Sequence, residues 1–285
     1  NPNPIWKKKP ADLTDDDYKN FYQELHPFSQ PPLFWIHLNI DYPFNLTGIL
    51  YFPKMNNSFE VQKNKIQLYS NQVFITDDVK EIVPEFLMLL HGVIDSPDIP
   101  LNVSRSYLQS DSNVKKINTY ISKKVAEKLQ SLFNTDRPGY EDKWKEISTF
   151  VKYGMISDDK FNEKAMSFAL LRNLENQAFT LEEYKEKVKA NQTDKHNKLI
   201  YLYANDAKAQ HSYIKAAKDY GYDVLEMDTI IDNHFMQHIE YKGSEVTFVR
   251  VDSDTPDNLV QKEETKESVL SQADQDKVKD IFTTT

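Results

Sequence analysis

Arg105 and Gln109 stand four residues apart just behind Ser104, and no other spacing in the chain carries as much chemistry. If residues 104–109 wind as a helix, positions i and i+4 share one face. That face then offers a forked cation beside an amide, a good match for phosphate oxygens. Asn102 or Ser104 supplies the polar side chain that caps such a helix. An ordinary surface arginine after a capped turn has the same spacing, and spacing alone does not separate the two. Only four of the 35 basic residues are arginine: Arg105, Arg137, Arg172 and Arg250. Each is read separately, because a planar fork and a point charge do different work.

No phosphate cradle accompanies Arg105. The six glycines, at 48, 92, 139, 154, 221 and 243, are too far apart for either common glycine-rich loop. The turn after the run 199–203 is Ala204-Asn205-Asp206, without the glycines of a dinucleotide fold. A phosphate that met Arg105 would therefore be held mainly by something else.

Other candidates read as structural. His234 and His238 are four apart, as zinc ligands can be, but Phe235-Met236-Gln237 lies between them and no third histidine or cysteine is near. No metal site is expected. The acid pairs Glu182-Glu183 and Asp158-Asp159 fall at helix starts, where carboxylates meet free N–H groups. The serines make no nucleophile elbow. Phe34 and Trp35 follow a proline-rich turn, and one alternate set of that strand faces away from the core. They are candidate partner-contacting aromatics, although packing beneath a neighbouring helix is the ordinary fate of such rings.

Composition removes several function classes. There are no cysteines, so disulfides, thiol nucleophiles and thiolate metal sites are excluded. The net charge is −9, of which residues 251–285 contribute −5 through nine acids and four lysines. No basic footprint for nucleic acid stands out. The longest strongly apolar run, Phe86 to Leu90, is far short of a membrane span. With Asn1-Pro2 at one end and Thr283-Thr284-Thr285 at the other, the sequence reads as a piece of a longer chain.

The elements that position Arg105 follow from periodicity. Thr14 and Asp17 open a helix carrying Tyr18, Phe21, Tyr22 and Leu25. Strands are predicted at Leu33–Ile40, Asn45–Phe52 and Ile66–Ile75, the first two joined as a hairpin through Asp41–Phe44. Pro84 opens a short helix to Leu90, and a polar loop runs from Gly92 to Leu101. A long helix from about Ser112 to Phe133 gathers Val114, Ile117, Ile121, Val125, Leu129 and Leu132 on one face. Residues 140–192 read as wholly helical, with a capping box at Thr180–Glu183. From 196 to 251 strand and helix alternate, which predicts a small parallel sheet. The expected organisation is a larger α/β layer domain (1–136), a helical connector (137–192), a smaller α/β domain (193–252) and an acidic linker with a helical start at Gln272–Phe282 (253–285).

The run Gly92-Val93-Ile94-Asp95-Ser96-Pro97-Asp98-Ile99-Pro100-Leu101-Asn102-Val103-Ser104-Arg105, with Leu108-Gln109, closely resembles the middle-domain signature of the bacterial heat shock protein 90 family, the HtpG chaperones. Pro4-Ile5-Trp6, the Tyr18–Tyr22 helix and Val73-Phe74-Ile75-Thr76-Asp77-Asp78 agree with that domain, so the resemblance covers roughly residues 4–250. The chain departs from it at Ser70-Asn71-Gln72, commonly basic in the family, and at Asn233-His234, where an acidic–aromatic pair is frequent.

The resemblance implies the order of domains read above, and a mechanism. ATP with Mg would sit in a separate N-terminal domain and not on this segment alone. Arg105 would reach its γ-phosphate when that domain docks. Asn102 and Gln109 would help to hold the closed, hydrolysis-ready arrangement, with no base supplied here. The implied partners are the protein's own N-terminal and C-terminal dimerisation domains and unfolded client proteins, with no nucleic acid or membrane. The whole would be a cytoplasmic stress-response homodimer, and this segment a monomer. The residues alone also allow a passive protein-interaction scaffold in which Arg105 is incidental.

Overall fold

Thr14 starts the first helix as its spacing predicts. The computed structural model describes residues 3–54, 65–101 and 103–263. In α1 (Asp15–Leu25) the Thr14 hydroxyl accepts from the Asp17 amide at 3.3 Å, and the Asp17 carboxylate accepts from the Thr14 amide at 2.8 Å. Two N–H groups of the first turn are thereby satisfied. Tyr18 and Tyr22, one turn apart, are the residues of α1 that become buried.

Beneath α1 lies a five-stranded sheet of β1 (Phe34–Ile40), β2 (Leu46–Phe52), β3 (Ile66–Ser70), β4 (Val73–Thr76) and β5 (His91–Asp95), in the order β1-β2-β5-β3-β4. The predicted β1–β2 hairpin is antiparallel, with Phe34 opposite Phe52. Three expectations are corrected. The single strand Ile66–Ile75 is a hairpin, turned at Asn71 and Gln72 with φ of 48° and 68°. Two successive left-handed residues suit a tight hairpin turn, and an apolar pattern alone does not disclose them. The helix after Pro84 is one 3-10 turn, Glu85–Leu87. Gly92–Asp95, expected in a polar loop, belong to β5, every residue of which is buried. Between two neighbours and under two layers a strand needs no polar alternation, so its short apolar run gave little to read. Gly92 permits this closeness. Its φ is +138°, and a Cβ there would lie 2.0 Å from the Ile49 carbonyl oxygen.

All seven residues of β2 are buried, so both sheet faces are covered. Alternation sends successive side chains to opposite layers. Ile49, Tyr51 and Val93 pack with Trp6, Tyr18 and Tyr22 on the α1 side. Leu46, Leu50, Phe52 and Ile94 share the larger core with the apolar face of α3 (Ser112–Thr135). That face is buried from Val114 through Leu129, as its period predicts, and Leu132 is partly buried. The architecture is thus the expected α/β layering.

The break after α3 is a cap. Asp136 accepts from the Gly139 amide at 3.1 Å and starts α4 (Arg137–Ser157) at once. Asp158 likewise caps α5 (Asp159–Ala165). Residues 140–192 are not wholly helical. A hairpin of β6 (Leu170–Arg172) and β7 (Ala178–Thr180) precedes α6 (Leu181–Val188). Strands of three residues are too short to show a period. The Thr180–Glu183 capping box is present.

The predicted small parallel sheet follows: β8 (Leu199–Ala204), β9 (Val224–Glu226) and β10 (Val246–Arg250), in the order β10-β8-β9. Its crossovers are α7 (His211–Asp219) and α8 (Ile230–Lys242). A buried ion pair, Lys152 Nζ to Asp232 Oδ1 at 2.5 Å, ties α8 to α4. Among the described residues no helix is long and apolar enough to cross a membrane. The helical start expected at Gln272–Phe282 lies outside the described residues.

Candidate functional site

The loop that carries Arg105 has a fixed root. Asp95 ends β5, opposite Thr47 on β2 and Tyr69 on β3. The Ser96 amide donates to the Tyr69 carbonyl at 3.1 Å, and its hydroxyl donates to the Asn45 carbonyl at 2.5 Å. Asp98 accepts from the Asn45 amide at 2.6 Å, while its own amide donates to the Ser96 hydroxyl at 3.2 Å. Ile99 is buried in the main core. These contacts bind the first half of the loop to the β1–β2 hairpin and to β3.

The tip is different. Ser104, one of the two expected caps, caps α2 (Arg105–Ser110) by accepting from the Tyr107 amide at 3.2 Å. No residue of this six-residue helix is buried. Arg105 and Gln109 are both exposed on it, one turn apart. Arg105 makes ion pairs with Glu81 at 3.3 Å and Asp78 at 3.8 Å. Its side chain keeps 58% of its surface exposed. With the Asp78 side chain 51% exposed and that of Glu81 20%, pairs to so open an arginine hold it weakly, at about 0–1 kcal/mol each. The arginine is parked on carboxylates that a more highly charged phosphate can displace.

The edge strand β4 and the second half of the loop expose apolar surface. Val73 and Phe74 on β4, and Leu101, Val103 and Tyr107 in and after the loop, are all exposed.

The remaining sequence candidates separate. Asn102 lies outside the described residues. Phe34 is buried, its ring stacked on Phe52 at 4.3 Å. Trp35 is partly buried and stacks on Tyr18 of α1 at 5.2 Å. The strand therefore packs beneath the helix and presents no free pair of rings. His238 meets Asn162 at 2.8 Å while His234 is exposed, so they do not converge. Among the described residues no group of three or more His, Asp or Glu is placed to hold a metal ion.

Two features of the site were not read from sequence. The acids holding Arg105, Asp78 and Glu81, lie 24 or more residues before it and give no local signal. Asp95 falls within the expected polar loop but is fully buried, where its carboxylate accepts from the Trp6 indole N–H at 3.0 Å. An acid ending a Val-Ile run was the one available hint.

The middle domain of a Plasmodium falciparum heat shock protein superposes with a TM-score of 0.66, covering 88% of this chain and all of that one, at 22% identity. The model of the family described as Hsp90 protein matches residues 1–285. The chaperone protein HtpG of Porphyromonas gingivalis is 55% identical over 98% of this chain, and that of Bacteroides fragilis 56% identical over 98%. The chain belongs to the Hsp90 protein family. It spans 41% of the length of those two curated relatives.

Proposed function

We propose that this chain is the middle segment of an ATP-dependent chaperone, and that Arg105 is its contribution to ATP hydrolysis. ATP with Mg is held by an N-terminal domain, and dimerisation belongs to a C-terminal one. When the nucleotide domain docks, Arg105 leaves Asp78 and Glu81 and places its guanidinium at the γ-phosphate. There it offsets the negative charge on the group being transferred. Gln109 and Asn102 hold the closed arrangement. The segment also contacts unfolded client proteins, and the whole acts in the cytoplasm. No residue here acts as base, and this segment alone turns over no ATP.

One observation carries the reading: an exposed arginine on a capped helix, weakly paired, at the end of a loop whose root is fixed. A residue that must travel a short way and arrive in one orientation needs that combination. The exposed Leu101 and Val103, in the loop that leads to Arg105, support docking of a second domain there. The test is ATP turnover by the full-length parent with Arg105→Ala. Turnover should fall about ten-fold or more at similar nucleotide affinity. Unchanged turnover leaves the segment as a passive scaffold.

A further inference from the structure

We propose that Asp95 is a positioning residue for Arg105, holding from beneath both structures that support it; this rests on the reading that Arg105 meets a phosphate. Asp95 is 0% exposed. Its Oδ2 accepts from the Trp6 indole N–H at 3.0 Å and from the Gln72 amide at 3.1 Å, with Lys7 Nζ at 3.6 Å. Its Oδ1 is buried without a hydrogen-bond partner. So is the hydroxyl of Thr47, its partner in the β2–β5 register. A buried carboxylate costs several kcal/mol to desolvate, and an oxygen left unpaired adds to that. A valine, as at 93 two residues back, would serve the sheet without that cost.

What the carboxylate supplies instead is a junction that no strand ladder makes. It joins the leading segment at Trp6–Lys7, the left-handed β3–β4 turn at Gln72 and the root of the loop. Two paths run from it to Arg105. One is the loop itself, starting at Ser96 and anchored on Asn45 and Tyr69. The other is β4, which starts at Val73 beside Gln72 and leads to Asp78 and Glu81, the acids that hold Arg105. The arginine and its counter-charges thus hang from the same carboxylate. A shift of the leading segment reaches both through Trp6 and Lys7.

The experiment is ATP turnover by the full-length parent carrying Asp95→Asn, alone and combined with Arg105→Ala, with KM for ATP and the thermal midpoint measured in parallel. Asparagine keeps the size and one accepting oxygen but removes the charge facing Lys7. The expected result is a kcat about five-fold lower, the size one hydrogen bond sets, with KM within about two-fold. No further loss is expected in the Arg105→Ala background, because a residue that acts through another has nothing left to act on. Should Asp95→Asn fail to fold, Trp6→Phe removes the indole donor alone and is read in the same way. An unchanged kcat, or an equal extra loss on top of Arg105→Ala, overturns the proposal. If Arg105→Ala itself leaves turnover intact, the phosphate reading falls and this inference falls with it. If Arg105→Ala lowers turnover and Asp95→Asn does not, only this inference falls.

Discussion

The loop root and the loop tip lie within ten residues of each other and are built on opposite principles. At the root, Asp95 and Ser96 are both fully buried, and backbone and side chain are cross-tied to β2, β3 and the turn before β2. At the tip, α2 has no fully buried residue, with only Leu108 partly covered, and Arg105, itself 58% exposed, is held by two ion pairs. Burial multiplies the worth of each polar contact at the root, and solvent screening reduces it at the tip. The difference teaches where stability and function divide. Changes at the root should be felt in folding, and at Asp95 also in turnover through Arg105, whereas changes at the tip should be felt in turnover alone.

The largest effect expected from that contrast is at Gly92. Its φ of +138° and the 2.0 Å approach to the Ile49 carbonyl leave no room for a methyl group. Gly92→Ala should cost about 3 kcal/mol or more of folding free energy in a denaturant titration. A cost below about 1 kcal/mol would show that the root is softer than described.

Acid should weaken the same strand. His91 opens β5, its ring 4.4 Å from that of His26 and its Nδ1 2.9 Å from the Tyr22 hydroxyl. Burial, then the charge of Lys65, pushes His26 down to about 4. Burial, then His26 and Lys65, pushes His91 down to about 3. The unfolded chain takes up these protons near the ordinary 6.5, before the folded chain does. The stabilisation is therefore complete above that value and is lost as pH falls toward 4 and 3. Melting at pH 7.5 and pH 5 should differ by on the order of 1–2 kcal/mol, and His91→Asn should flatten the slope. An unflattened slope would assign the acid sensitivity to other groups.

A smaller loss is expected from Ser96→Ala, which leaves the Asn45 carbonyl and the Asp98 amide without the hydroxyl that serves both. About 1–2 kcal/mol is expected by the same titration. At the tip, the double change Asp78→Asn with Glu81→Gln should leave stability within about 0.5 kcal/mol. It should raise ATP turnover of the full-length parent by up to about five-fold, since parked arginine is what it releases. Slower turnover would mean that the two acids guide Arg105 into place.

Legibility followed the same division. The tip was readable because its signals are local: Ser104 caps, and Arg105 and Gln109 follow at helical spacing. So were α1, α3 and the small parallel sheet, whose caps and periods are long enough to register. The root was not. Gly92–Asp95 looks like loop because a strand covered on both faces shows no alternation, and the positive φ at Gln72 is set by the hairpin it closes. The β6–β7 hairpin was lost to brevity. The ion pairs of Arg105 join residues that no local pattern connects, and they emerge only when the segment after β4 and the loop after β5 meet in the fold.

The central claim is that Arg105 acts on a phosphate held by another domain. ATP turnover of the full-length parent with Arg105→Ala, measured beside the unsubstituted parent and with nucleotide affinity in parallel, tests it most directly. The account predicts a fall of about ten-fold or more at similar affinity and unchanged folding stability. Turnover equal to that of the parent would contradict it.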